Sequence, residues 1–319
     1  MSDALRLRVR ALSWEAEGIL GIELVPPGRD VQLPPVEAGA HIDLQLPDGL
    51  VRSYSLTNEP GERHRYAIAV NLDANSRGGS RWIHESLRPG ALLEARGPRN
   101  HFALVESAAH SVLIAGGIGI TPLLAMARRL TALGRPWTLH YASRTRAQMA
   151  FVADLRRLAE RACAMLDLRA DREGDPPLDL PAIVAALPAG AHVYACGPAG
   201  LLDAFETATA ALPREHVHLE RFASTRAAAI DGGFTVVLAR SGRHLPVPRG
   251  QTVLDALLAA GLDPLYSCRE GICGTCETRV LRGTPDHRDL VLGDADKAAG
   301  DRMMICCSGA LTPELELDL

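Results

Sequence analysis

Lysine is nearly missing from this chain. Lys297 is the only one, so arginine supplies almost all of the 34 basic side chains, which is a bias of composition and not of mechanism. Long apolar runs are missing too. The longest, Val112 to Ala127, is broken by Gly116, Gly117, Gly119 and Pro122 and falls short of the roughly 20 residues of a membrane-spanning helix. The opening MSDALRLRVR alternates Leu or Val with Arg and lacks the apolar centre of a signal peptide, so it reads as a strand. No membrane contact is expected, and the expected location is cytoplasmic. Internal repeats and low-complexity segments are also lacking.

A surplus of basic charge is absent as well: 34 basic side chains against 38 acidic ones leave a net charge of −4. Residues 230 to 319 hold 9 basic and 13 acidic side chains, which accounts for the whole imbalance. Nucleic acid is therefore disfavoured as a partner. What is present is ordinary for a globular protein, 47% apolar and 23% charged over 319 residues, a length that calls for several modules.

Three domains are expected. In residues 1–104, short alternating segments such as Leu5 to Val9 and His41 to Leu46 are separated by Gly and Pro turns, the pattern of a small antiparallel β-barrel. In residues 105–226, the continuous apolar run Val112 to Ala115 leads through glycines into Pro122 to Leu130. Trp137 to Ala142 and His192 to Cys196 repeat the strand signal, with helical stretches near Met149 to Arg161 and Leu201 to Leu212. Buried strands alternating with helices predict an α/β nucleotide-binding layer. Ala223 to Ala229 carries no strong pattern and reads as a linker. Residues 227–319 order a strand at Phe234 to Leu238, a helix at Thr252 to Ala260, a cysteine loop and a closing strand around Met303 to Cys306, which suits a β-grasp module.

Four of the seven cysteines form Cys268-x4-Cys273-x2-Cys276, with Cys306 after a 29-residue gap, the spacing of a plant-type 2Fe-2S cluster. Gly271 and Gly274 let the loop wrap close to the cluster and aim N–H groups at its sulfurs, and Thr275 offers a hydroxyl. Zinc sites usually pair two short knuckles, whereas here one ligand stands alone. Disulfides are disfavoured because nothing indicates an oxidising compartment. Cys306 and Cys307 are neighbours, and on a strand they would face opposite ways, so one ligand is expected, Cys306, with Cys307 behind it. Cys163, alone on a predicted helix, is expected to be a buried filler.

The motif SCREGICGTCET, followed by Pro285-Asp286-His287-Arg288-Asp289 and then MMICCS, resembles the ferredoxin end of the phthalate dioxygenase reductase family, and the resemblance extends over essentially the full length. It implies an NAD(P)H-dependent flavo-iron-sulfur oxidoreductase that passes electrons from NADH through FMN and the 2Fe-2S cluster to a terminal oxygenase, usually a Rieske non-haem iron enzyme. In Arg52-Ser53-Tyr54-Ser55-Leu56-Thr57, alternation puts Arg52, Tyr54 and Leu56 on one side and Ser53, Ser55 and Thr57 on the other. Similar flavin reductases use an R-x-Y-S element, which implies Arg52 at phosphate, Tyr54 along the flavin and Ser55 near its reactive nitrogen. Arg77-Gly78-Gly79-Ser80 opens a helix where a phosphate is attracted, so Gly79 and Ser80 join Arg52 there. The family's usual FMN is expected over FAD, and NADH over NADPH.

Gly116-Gly117-Ile118-Gly119-Ile120-Thr121-Pro122 follows the buried strand, where glycines let a ligand approach the backbone. Thr121 can cap the helix, and Pro122 occupies its first turn. Paired with Cys196-Gly197-Pro198, this resembles the nicotinamide half of ferredoxin reductase-like proteins and implies that Cys196 lies near the nicotinamide ring. Ser143 and Arg144 face the adenosine end; Asp171 is a weaker ribose partner. Glu220-Arg221-Phe222 resembles the family's domain end, with Phe222 able to cover the flavin. His216 and His218 share a strand face and are expected to be structural. No carboxylate pair or Ser-His-Asp arrangement presents itself, as befits chemistry left to cofactors. A free monomer is expected. The competing expectations are a redox-sensing or electron-transfer subunit of a larger dehydrogenase and a flavin-only reductase with a zinc-bound tail.

Overall fold

The computed structural model describes residues 4–28, 31–59, 61–74, 76, 78–224 and 226–319. Arg77, in the predicted phosphate turn, and Thr225, in the predicted linker, lie outside them. The chain divides into two compact units, Met1–Arg221 and Phe222–Leu319, so the barrel and the α/β layer share the first.

The first unit begins with β1 (Leu5–Ala16), β2 (Ile19–Val25), β3 (His41–Gln45), β4 (Val51–Ser55), β5 (Tyr66–Asn71), α1 (Gly79–Ser86) and β6 (Leu92–Arg99). These strands form a sheet in the order β4-β3-β6-β1-β2-β5, antiparallel at every pair. A bridge from Leu56 to Ile68, just past the end of β4, joins the two edge strands at one point, which closes the barrel. Its interior holds Leu7, Val9, Ile42, Leu44, Leu56 and Tyr66. Alternation along the strands therefore does bury one face, as the sequence pattern requires.

The α/β layer follows with β7 (His110–Gly116), α2 (Ile120–Ala132), β8 (Trp137–Ser143), α3 (Val152–Ala162), β9 (Met165–Ala170), α4 (Leu180–Ala185), β10 (Ala191–Cys196), α5 (Ala199–Thr209) and β11 (Val217–Glu220). The sheet order is β11-β10-β7-β8-β9 and every pair is parallel. Strand β7 is apolar from Val112 to Ala115 because both its faces are covered there: Leu113 and Ala115 pack with α2 and α3 residues, while Val112 and Ile114 pack with Leu202 and Phe205 of α5. Barrel residues Ala16, Ile19, Ala69 and Phe102 join the former core, forming an apolar seam between barrel and layer.

The second unit contains β12 (Phe234–Leu238), β13 (Arg243–Val247), α6 (Val253–Ala259), β14 (Glu277–Arg282), β15 (Pro285–Asp286), α7 (Asp294–Ala299), β16 (Arg302–Met304), β17 (Gly309–Ala310) and β18 (Glu314–Leu317). A mixed sheet, β13-β12-β18-β14-β16, packs Val236, Leu315 and Leu317 against Val253, Leu254 and Leu257 of α6. Thr252 caps α6 with a reciprocal capping box to Asp255, which satisfies two otherwise unpaired backbone donors. This is the expected β-grasp layout. Among the described residues no helix is long and apolar enough to cross a membrane.

Three local expectations need correction. The closing strand β16 stops at Met304, and Cys306 and Cys307 lie in a turn in which Cys307 N and Ser308 N both donate to Met304 O, so strand alternation does not separate them. Cys163 is exposed: it is the C-cap of α3 with a left-handed φ of 50°, outside the helical face that meets the core. Thr121 caps nothing, since α2 starts one residue earlier and its hydroxyl donates to Ile118 O at 3.0 Å.

Candidate functional site

The cysteine loop is built from left-handed turns, with φ of 60° at Arg269, 68° at Gly271 and 70° at Gly274, conformations that favour glycine. These turns fold three sulfurs inward. Cys273, Cys276 and Cys306 are buried and Cys268 is half-buried. The thiols act on one another. Contact with Cys268, then burial, pushes Cys273 far above the ordinary thiol range, and Cys306, then burial, does the same to Cys276. For Cys268 the contact with Cys273 pulls downward, while Cys306 and burial outweigh it upward. The sulfurs thus form a linked row, Cys273, Cys268, Cys306, Cys276. Glu270 N donates to Cys268 Sγ at 3.3 Å, and Cys273 Sγ lies 3.3 Å from Thr275 Oγ1.

Cys307 is in another place. Its Sγ lies against Met304 O at 3.8 Å and Ser308 Oγ at 3.9 Å, and a Cβ added at Gly271 would sit 2.4 Å from it. Cys307 therefore packs beneath the loop while Cys306 faces the other sulfurs. The loop is braced from outside by Asp289, fully buried, whose Oδ2 accepts from Leu292 N at 2.8 Å and Val291 N at 3.2 Å, while Leu290 N donates to Gly271 O at 2.9 Å. Among the described residues no group of three or more His, Cys, Asp or Glu side chains is disposed to hold one metal ion. Four soft donors linked in pairs, three of them buried, with N–H groups aimed at them, fit a two-iron cluster, which takes two thiolates per iron.

On β4, Ser53 donates to Asp43 Oδ1 at 2.7 Å, and Asp43 also pairs with Arg99. Ser55 is buried opposite His41, whose pKa burial pulls down to about 4. Tyr54 packs against the barrel core, and burial holds its hydroxyl well above the usual phenol range. Gly79 opens α1 so close to Arg52 that a Cβ there would lie 3.0 Å from Arg52 Cγ and Nε, which brings together the two halves of the predicted phosphate clamp. Ser80 Oγ donates to Ser76 Oγ at 2.9 Å. Asp43 and Arg99 escaped the sequence reading, although a signal existed: the hairpin turns about Asp48, and Asp43 and Ser53 stand equally far from it.

The two nucleotide loops interlock. Strands β7 and β10 are adjacent, with Ala115 opposite Cys196. A Cβ at Gly116 would meet Pro198 Cδ at 2.6 Å, and one at Gly119 would meet Cys196 O at 2.2 Å. The glycines serve close packing here as much as ligand access. Cys196 is fully buried, and burial followed by Glu220 raises its pKa. Glu220 is its neighbour on β11; burial lifts that carboxyl to about 8, and its Oε2 is buried without a hydrogen-bond partner among the described residues. A carboxyl oxygen buried without a partner at the carboxyl end of a parallel sheet is free to exchange a hydrogen bond with a polar ligand group. Its pairing with Cys196 was also missed, since parallel register across 24 residues has no local signature. Ser143 is buried at the end of β8, Arg144 and Asp171 are exposed, and Phe222 opens the second unit 40% exposed. His192 Nδ1 lies 2.9 Å from His218 Nε2, and His218 stacks on Tyr194.

Comparison with known proteins matches residues 236–311 to the 2Fe-2S iron-sulfur cluster binding domain and residues 113–207 to the oxidoreductase NAD-binding domain. The phenoxybenzoate dioxygenase subunit beta of Ectopseudomonas oleovorans is 56% identical, over 98% of this chain and 97% of that one. The chain belongs to the phthalate dioxygenase reductase-like family. The tetrachlorobenzoquinone reductase of Sphingobium chlorophenolicum is 50% identical over 99% and 98% of the two chains. The solved structure of phthalate dioxygenase reductase aligns with a TM-score of 0.74 and 38% identity over 99% and 98%. This family member is an oxidoreductase with an antiparallel flavin-type barrel, an NAD-binding α/β layer and a C-terminal ferredoxin-type domain.

Proposed function

We propose that this reductase is the NADH-dependent electron-transfer component of a multicomponent oxygenase, with domains at 1–104, 105–226 and 227–319. The observation that carries the reading is the row of four cysteine sulfurs, three buried and one half-buried, in a chain that also brings its two nucleotide loops together. A flavin between the two ends supplies the ability to take a hydride, two electrons at once, and to release electrons singly to the cluster. Arg52, Gly79 and Ser80 bind the phosphate of FMN, Ser53 and Tyr54 line it, and Ser55 hydrogen bonds near its reactive edge. Gly116, Gly117, Gly119, Thr121, Gly197 and Pro198 shape the nicotinamide mononucleotide end, and Ser143 and Arg144 face the adenosine. Cys196 and Glu220 orient the nicotinamide and keep water from it. Cys268, Cys273, Cys276 and Cys306 hold the cluster, and its loop is the exit to a terminal oxygenase. The free protein is a cytoplasmic monomer without membrane contact.

The likeness to a reductase named for tetrachlorobenzoquinone favours a second reading, in which a small quinone takes the electrons. Iron, zinc and flavin analysis of the purified protein, followed by NADH oxidation with protein and quinone acceptors, tests both. The expected result is two iron atoms and one FMN per chain, with turnover on a protein acceptor. One zinc per chain defeats the proposal, and turnover on quinones alone selects the second reading.

A further inference from the structure

The nicotinamide helix and the flavin strand belong to different domains, yet hydride transfer needs their ligands in register. Arg128 on α2 joins them. Its side chain is 11% exposed and reaches three elements: it donates to the carbonyl of Thr57, just past β4; its Nε lies 3.1 Å from Glu59 Oε1 on the barrel; and its Nη2 donates to Asp154 Oδ2 on α3 at 2.9 Å. Thr57 is itself buried and fixed, with its N donating to Ala67 O at 2.8 Å. The guanidinium thus holds the segment leaving the flavin strand against the helix that begins in the glycine loop. Among the described residues, the turn between β1 and β2 also meets the α/β layer, where Glu17 N donates to Ala147 O at 2.8 Å. The remainder of the seam is apolar, which resists separation but permits sliding, because dispersion contacts have little directionality.

We propose that Arg128 is a positioning residue for hydride transfer, fixing the distance between the nicotinamide and flavin sites by tying α2 to the end of β4. This rests on the functional reading above. The step breaks a C–H bond of the dihydronicotinamide and passes its hydrogen and electron pair to the flavin, so that the nicotinamide is oxidised and the flavin reduced. Helix α2 transmits position well. Arg128 lies nine residues beyond Gly119, about 13 Å along a rigid rod at ~1.5 Å per residue. A displacement of about 1 Å at reacting atoms can cost on the order of 100-fold in rate. Arginine suits the task because its planar fork donates to a carbonyl and a carboxylate at once while its charge stands beside a second carboxylate, Glu59, as an ion pair without a hydrogen bond. Lysine would keep the charge but lose the fork.

The test is anaerobic stopped-flow reduction of the bound flavin by NADH in the holoprotein, comparing Arg128→Ala, Arg128→Lys and Glu59→Gln with the unaltered chain. Glu59 is half-exposed, so its replacement loosens the barrel side of the clamp without opening the core. The expected result is a flavin-reduction rate at saturating NADH lowered about 10- to 100-fold in Arg128→Ala and several-fold in Glu59→Gln, with partial recovery in Arg128→Lys. Flavin content and electron release from chemically reduced protein stay as before. A wild-type rate at saturating NADH in both Arg128→Ala and Glu59→Gln, even with lowered thermal stability, overturns the assignment. Failure of NADH to reduce the unaltered protein would instead overturn the functional reading on which it rests.

Discussion

Gly119→Ala is the sharpest probe of the interlocked nucleotide loops. The added Cβ would lie 2.2 Å from Cys196 O, 2.4 Å from Cys196 C and 2.7 Å from Gly197 N, all backbone atoms. Ordinary contact begins near 3.4 Å, so α2 and the end of β10 must separate by about 1 Å. Overpacking costs typically ~1–3 kcal/mol, and the upper end applies because β10 is held on both sides by β7 and β11 and cannot swing away. At about 2–4 °C per kcal/mol for a domain of this size, Tm falls by about 6–12 °C. The same opening moves Cys196, so NADH-dependent flavin reduction slows. Gly117→Ala is the control: nothing lies within 4 Å of its Cβ, and its φ of +53° imposes only the left-handed penalty of about 1–2 kcal/mol. Thermal unfolding followed by circular dichroism, with NADH KM measured on the survivors, compares the two. Equal Tm losses, or a Gly119→Ala protein as stable as its parent, would refute the packing argument.

Cys306→Ser should abolish or grossly perturb the visible cluster spectrum while Cys307→Ser leaves it intact; the reverse pattern would move the fourth ligand. Glu220→Gln should change the pH dependence of stability. A carboxyl raised to about 8 when folded, from about 4.5 when unfolded, contributes stability that is complete below the lower value and is lost as pH rises through the higher. At about 1.4 kcal/mol per unit the loss is at most ~5 kcal/mol. The glutamine protein should therefore overtake the parent in Tm between pH 5 and pH 9, and a constant difference across that range counts against burial as the cause. Thr252→Ala removes the cap of α6 and should cost about 1 kcal/mol, read as a lower urea midpoint for cluster loss. Reduction of a basic acceptor such as cytochrome c should slow as salt rises, given the acidic surplus of residues 230–319; a salt-independent rate would remove electrostatic steering.

What the sequence made legible was whatever repeats locally. Alternation along Leu5 to Val9 and the unbroken Val112 to Ala115 marked strands because burial on one face or two dictates those patterns. The glycine loop, the Cys196-Gly197-Pro198 turn and the cysteine spacing were legible because each depends on residues a few positions apart. What escaped depends on juxtaposition. Glu220 meets Cys196 only through the β10–β11 register, and Arg128 meets Thr57 only when α2 crosses the barrel rim. Thr121 and Cys163 were misjudged because a one-residue shift in a helix boundary changes which groups are satisfied, and the neighbours Cys306 and Cys307 are separated by a turn that the strand pattern concealed.

The closure of the barrel has a temporal consequence. Strand β4 is bonded along its length to β3 alone, and beyond it the ring is shut by Leu56 against Ile68 and by Thr57 against Ala67. A strand paired on one side is the cheapest to release, so native-state breathing should begin there and not in β1 or β2. Amide protons of residues 51–57 should then exchange with deuterium ahead of those of residues 19–25. Anything seated across that strand, or gripping the carbonyl of Thr57, would act as a latch on the fastest door in the molecule.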